Sequence, residues 1–156
     1  NNGAVDDLTK AIAIKQKSNY YYQRSTAHYA LENYSKAISD LSIVINKEPK
    51  NAEAYYNRGL TKYYSGNKSD SLSDFDKATE IKPDYANALW MSGINGLQVG
   101  RSNIPACRDI EKAIRLGQKD ATKWGKTDIK TKDGCNFSWR ARPDLRPKSH
   151  ISHYLE

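Results

Sequence analysis

Four aspartates, each followed by a bulky apolar residue, recur down this chain: Asp7-Leu8, Asp40-Leu41, Asp74-Phe75 and Asp109-Ile110. The intervals between them are 33, 34 and 35 residues. A period in this range marks an architecture of stacked units. Each unit is too small to bury its own apolar face, so neighbours complete one another's core. The period therefore describes a scaffold with a long surface and leaves open what lies on it.

Aligning the units on those aspartates brings other positions into register. The middle unit reads Tyr55, Arg58-Gly59, Ser71, Phe75, Ala78 and Pro83. The unit before it gives Tyr21, Arg24-Ser25, Ala37, Leu41, Val44 and Pro49, and the unit after gives Leu89, Ser92-Gly93, Ala106, Ile110, Ala113 and Gly117. An incomplete unit leads, with Ala4, Leu8 and Ala11. This pattern resembles the tetratricopeptide repeat, W-x2-L-G-x2-Y, then A-x3-F, then P, over 34 residues. The resemblance covers roughly residues 4–117. It departs at Arg24 and Arg58, where leucine is usual, at Lys62 in place of tyrosine and at Ser71 in place of alanine.

The spacing has a physical reading of its own. Ser25, Gly59 and Gly93 fall midway along the first helix of each unit, and Ala37, Ser71 and Ala106 early in the second. Small side chains there let two antiparallel helices approach closely. Leu41, Phe75 and Ile110, each with an apolar residue three further on, form the stripe of a buried helical face. Pro49 and Pro83 stop the second helices. Glu32-Asn33, Gly66-Asn67 and Gly100-Arg101-Ser102 make the turns, and Pro105 fits a first helical turn, with Ser102 or Asn103 as cap. Helices are expected near 4–16, 19–31, 35–47, 52–65, 68–81, 86–99 and 104–116, with a short eighth around Asp120 to Lys126. The fold class is all-α. The resemblance implies a right-handed α-α superhelix of about three and a half repeats, closed by that capping helix and followed by an irregular basic tail. The expected division is a solenoid over 1–126 (units near 1–17, 18–51, 52–85 and 86–118) and a tail over 127–156.

The formal charge of +7 is uneven. Residues 1–118 hold 16 Lys and Arg against 13 Asp and Glu, whereas residues 119–156 hold 9 against 5. The excess thus concentrates in the tail. No apolar run is long enough to span a bilayer. The chain opens Asn1-Asn2-Gly3, half-way through a repeat, which reads as a fragment or processed form with any targeting signal out of view. The cytoplasm is the expected compartment. Two cysteines, Cys107 and Cys135, say little about compartment. They read first as free thiols, with a bridge as the alternative if the tail folds back.

No catalytic arrangement stands out: there is no glycine-rich phosphate loop and no nucleophile elbow. The aspartate ladder reads as structural, Asp7 pairing with Arg24 and Asp40 with Arg58, while Asp74 lacks an arginine because Ser92 holds that place. His150, His153 and Cys135 are too sparse for a zinc site, and His28 reads as a surface or groove residue. Neither a cofactor, a metal nor a small-molecule substrate is expected, and the chain does not read as an enzyme.

The resemblance implies that first helices line a concave groove. The first full unit would contribute Asn19, Tyr22, Thr26 and Tyr29, the second Tyr56, Asn57, Leu60 and Tyr63, and the third Asn87, Trp90, Met91 and Ile94. Tyrosine and tryptophan give large contact area at modest entropy cost and are frequent binding hot spots. The lysine, asparagine and arginine set with which co-chaperone repeats grip a chaperone's terminal carboxylate is matched only at Asn57, which argues against chaperone-tail docking. In the tail, Phe137, Trp139, Arg140 and Arg142 are candidate contacts to the solenoid or to an acidic partner. Two aromatics are too few to argue for single-stranded nucleic acid. The favoured reading is a non-enzymatic protein-interaction scaffold holding a peptide or helix, its partner acidic or part of a larger assembly. A structural subunit or assembly factor of a large complex is the first alternative, and a helical-repeat nucleic-acid binder the second.

Overall fold

The computed structural model describes residues 2–120, and every described element is helical. The order is α1 (Asn2–Ile14), α2 (Ser18–Ala30), α3 (Tyr34–Lys47), α4 (Ala52–Tyr64), α5 (Lys68–Ile81), α6 (Ala86–Gln98) and α7 (Asn103–Arg115). The expected eighth helix beyond Asp120, and the expectations for Cys135, Phe137, Trp139, Arg140, Arg142, His150 and His153, fall outside the described residues. No described helix is long and apolar enough to cross a membrane. The chain divides into two compact units, Asn1–Pro83 and Asp84–Glu156.

Within the first unit α2 packs on α3 and α4 on α5 as helical hairpins, while α1 packs on α2 and α3 on α4. Its core gathers Ile12, Tyr21, Leu41, Val44, Ile45 and Ala54. Phe75, Ala37 and Ala78 are fully buried. The Phe75 ring lies where Gly59 has no side chain: a Cβ there would stand 2.8 Å from the ring. In the second unit α6 packs on α7 around Leu89, Ile110, Ala113 and Ile114. Gly93 plays the corresponding part, its bare backbone facing Ile110 and the carbonyl of Ala106. Gly59 and Gly93 are therefore helix-crossing points, as the spacing predicts.

The turns share one mechanism. After α2, α4, α6 and α7, an amide N–H bonds back to the carbonyl five residues earlier: Asn33 to His28, Asn67 to Lys62, Arg101 to Gly96 and Gln118 to Ala113. This closure requires a left-handed residue just past the helix. Gly66, Gly100 and Gly117 supply it, and so does Glu32, with φ of 58°. The helices α3 and α5 end at Lys47 and Ile81, two residues short of Pro49 and Pro83. Asn51 and Asn67 cap α4 and α5 through bonds from Ala54 N–H and Asp70 N–H. Ser102 holds the cap position of α7 but makes no side-chain cap bond.

Two pairing expectations need correction, and His28, expected at the surface or in the groove, is instead buried on α2. The arginines pair within their own hairpin, not with the preceding aspartate. Arg24 Nε and Nη2 donate to Asp40 at 2.8 and 2.7 Å, and Arg58 donates likewise to Asp74 at 3.0 and 2.7 Å. Asp74 therefore has an arginine, and Lys62 Nζ besides at 2.8 Å. What each arginine offers the preceding unit is its remaining nitrogen, which donates to a hydroxyl: Arg24 to Thr9 and Arg58 to Ser42, both at 3.1 Å. The second correction concerns Cys107, which is disulfide-bonded and not a free thiol. Bridging requires Cα atoms within about 7 Å, a distance that spacing along a chain does not determine.

Candidate functional site

The first helices of the two full hairpins in the first unit form a continuous seam. Asn57 Nδ2 on α4 donates to the Tyr22 hydroxyl on α2 at 2.5 Å. Seven residues further along both helices, Tyr29 meets Tyr64 edge to face, ring centroids 6.1 Å apart. Two contacts with the same offset of 35 residues set α2 and α4 parallel over two turns. Between them stand Thr26, exposed, and Leu60, half-buried. Asn19 and Glu53 are exposed at the beginning of the seam. Tyr34 extends the aromatic cluster at the other end, its ring 5.9 Å from Tyr29.

The tyrosines differ in how far they commit to packing. Tyr56 leans on the buried Phe75 ring at 5.9 Å, so part of its area belongs to the core. Tyr63 packs against Tyr64 at 5.5 Å and carries Lys68 Nζ over its ring at 5.2 Å. Tyr64 is 56% exposed and presents the widest aromatic surface of the set. Burial raises the pKa of the Tyr22 phenol above 10.0, the Glu53 charge adds to this, and the bond from Asn57 opposes it. Burial and the neighbouring Tyr64 and Tyr34 raise that of Tyr29. Both phenols are consequently neutral at ordinary pH. Because Tyr22 accepts from Asn57, its own O–H remains able to donate outward.

In the second unit, Asn87 is exposed at the start of α6, and Met91 is half-buried. Trp90 and Ile94 are half-buried and packed against the core of Leu89, Ile110, Ala113 and Ile114. These two serve packing as much as surface.

On another face of the first unit an open polar hollow of about 640 Å³ is lined by Tyr55, Arg58, Asp74, Lys77 and Glu80, among others. Arg58 there holds Asp74, and Lys77 holds Glu80 at 2.8 Å. Among the described residues no group of three His, Cys, Asp or Glu side chains is placed to hold a metal ion.

The third aspartate pairing uses a residue that sequence reasoning passed over. Ser92 Oγ donates to Asp109 at 2.9 Å, and Arg101 reaches both, at 3.1 Å to Ser92 and 3.7 Å to Asp109. Arg101 comes from the loop before α7. The 35-residue interval, one longer than its predecessor, was the available signal.

This arrangement of helices superposes on solved structures. MamA superposes with a TM-score of 0.70 at 24% identity, over 78% of this chain and 71% of that one. The chain has the tetratricopeptide-repeat fold. Two further tetratricopeptide-repeat proteins match. The first repeat domain of Spaghetti (RPAP3), bound to the HSP90 peptide SRMEEVD, gives a TM-score of 0.64 at 19% identity, over 70% of this chain and 87% of that one. YrrB, a TPR protein with an unusual peptide-binding site, gives 0.67 at 22% identity, over 78% and 63%. Identities this low carry the fold alone. No family model and no curated protein matches the sequence.

Proposed function

We propose that this tetratricopeptide-repeat chain is a non-enzymatic interaction module, and that the seam between α2 and α4 holds an extended peptide or a helix of a protein partner. The observation that carries this reading is the Tyr22–Asn57 bond with the Tyr29–Tyr64 contact two turns on. Together they pre-arrange aromatic surface and amide groups on packed helices, so little side-chain entropy remains to be lost on binding. The RPAP3 repeat domain binding an HSP90 peptide, and the peptide-binding site of YrrB, support the same use of this fold. In the second unit, taken by itself, Asn87, Trp90, Met91 and Ile94 on α6 are proposed as contact residues.

The test is capture of partners by the full chain and by Thr26→Lys. Thr26 is exposed in the middle of the seam, so a long cation there blocks the face without disturbing the core. Loss of the captured set, with an unchanged helical circular dichroism spectrum, is expected. Capture of the same partners by the variant would overturn the proposal.

A further inference from the structure

The chain is basic, yet its seam is not. Arg24, Arg58 and Lys62, the cations rooted on α2 and α4, turn to Asp40 and Asp74. Glu53, exposed in the first turn of α4, is the charge that acts on the Tyr22 hydroxyl. The seam otherwise shows phenols, amides, the Thr26 hydroxyl and the half-buried Leu60, and Lys68 stands at its far end over Tyr63.

The first unit also shows what its tyrosine rings accept. Lys17 lies over Tyr20 at 5.9 Å, Arg24 over Tyr21 at 5.7 Å, and Arg58 over Tyr55 at 5.6 Å. A cation over an aromatic face is attracted by the ring quadrupole, more so where water is partly excluded. Among the described residues no cation occupies the rings of Tyr22, Tyr29 or Tyr64. Tyr64 is exposed, and Tyr29 beside it is half-buried.

We infer that the seam selects a basic segment, an extended peptide whose arginine or lysine side chains stack on Tyr29 and Tyr64 at one end and meet Glu53 at the other. This rests on the interaction reading above and adds the chemistry of the ligand. From Glu53 to Tyr64 is eleven residues of helix, about 16 Å at 1.5 Å per residue. An extended peptide covers that distance in about five residues at roughly 3.3 Å each. The ligand therefore carries basic residues four to six positions apart. An acidic terminal peptide of the SRMEEVD kind seen in RPAP3 would meet Glu53 with like charge, and the one cation between Asn19 and Thr26, Arg24, is already held by Asp40.

Overall charge makes the test a stringent one, because a chain of +7 should by itself attract acidic peptides. The full chain is presented with a randomised decapeptide library, N-acetylated and C-amidated, at physiological salt. The retained pool is sequenced for the wild type, Glu53→Lys, and Tyr29→Ala with Tyr64→Ala. Expected is a wild-type pool enriched several-fold in arginine and lysine, lost in Glu53→Lys and reduced in the tyrosine variant. A wild-type pool that is acidic or without charge bias, yet altered by the tyrosine changes, would overturn the cationic class and leave the seam as a binding face. A basic pool identical in all three proteins would overturn both, since its binding would lie elsewhere. Circular dichroism of each variant separates these outcomes from misfolding. If the double tyrosine variant unfolds, Tyr64→Phe with Tyr29→Phe, which keeps the rings, and Glu53→Gln decide the question by the same readout.

Discussion

Arg24 grips Asp40 with two parallel hydrogen bonds, and Asp40 is 3% exposed. The same fork closes Arg58 on Asp74, one hairpin later. The two sites differ in the neighbour 34 residues apart: His28 stands in the first hairpin where Lys62 stands in the second. Lys62 gives Asp74 a second cation, whereas His28 is buried and its pKa lies below 6.5, so Asp40 depends on its arginine. Removing one partner of a buried pair strands the other charge and costs about 3–5 kcal/mol where burial is deep. Arg24→Gln should therefore destabilise by about 3 kcal/mol. Arg58→Gln should cost about half as much, with Lys62 retaining Asp74. Denaturant unfolding of both variants checks the order; equal losses would mean that Lys62 contributes nothing at Asp74.

His28 itself makes stability depend on pH. Desolvation lowers its pKa below 6.5, opposed by the charge of Asp40 and assisted by Lys36 and Arg24. The unfolded chain thus binds the proton more readily than the folded one. Stability from this group is complete above about pH 6.5 and is lost as pH falls through the lower folded value. His28→Gln should flatten the fall in melting temperature between about pH 7 and 5. A variant as acid-sensitive as the wild type would assign the fall to other groups.

Much of the helical layout was legible before any coordinates, because its signals are local. Helices expected over 52–65 and 68–81 are found at Ala52–Tyr64 and Lys68–Ile81. Gly66, Asn67 and Pro83 act within a turn of where they stand. Partner choice along the ladder was not legible, and the reason is arithmetic. Arg24 lies 17 residues after Asp7 and 16 before Asp40, so a period alone cannot say which carboxylate it faces. That depends on how the hairpin closes, which places Asp40 inside the same helix pair. The candidate seam was half legible. Period put Tyr22, Asn57 and Tyr29 on first helices, but that Tyr56 spends its ring on Phe75 is a packing outcome set by Gly59.

Among the described residues Glu32 occupies the one turn-closing position filled by a side chain, with φ of 58° where Gly66, Gly100 and Gly117 stand elsewhere. A left-handed conformation costs a residue with a Cβ about 1–2 kcal/mol. Glycine removes that strain but adds up to about 1 kcal/mol of unfolded-chain entropy. The strain is the larger effect. Glu32→Gly is expected to stabilise by about 0.5–1 kcal/mol, raising the melting temperature by a few degrees; a lower melting temperature would show that the turn is not strained at Glu32.

Gly93 poses the opposite contest. Alanine in a helix interior is intrinsically favoured over glycine by about 1 kcal/mol. At this position, however, a Cβ would collide with the Ile110 side chain and stand 2.8 Å from the backbone oxygen of Ala106. Ile110 is fully buried and the Ala106 carbonyl belongs to α7, so neither gives way without moving the helix. Overpacking of this kind costs about 1–3 kcal/mol, which exceeds the propensity gain. Gly93→Ala should therefore destabilise the α6–α7 pair, measured as faster hydrogen exchange at the amides of Leu97 and Ala113 with little change at Leu41 in the other unit. Unchanged protection at both would mean that the close approach of α6 and α7 at Gly93 does not hold that hairpin together.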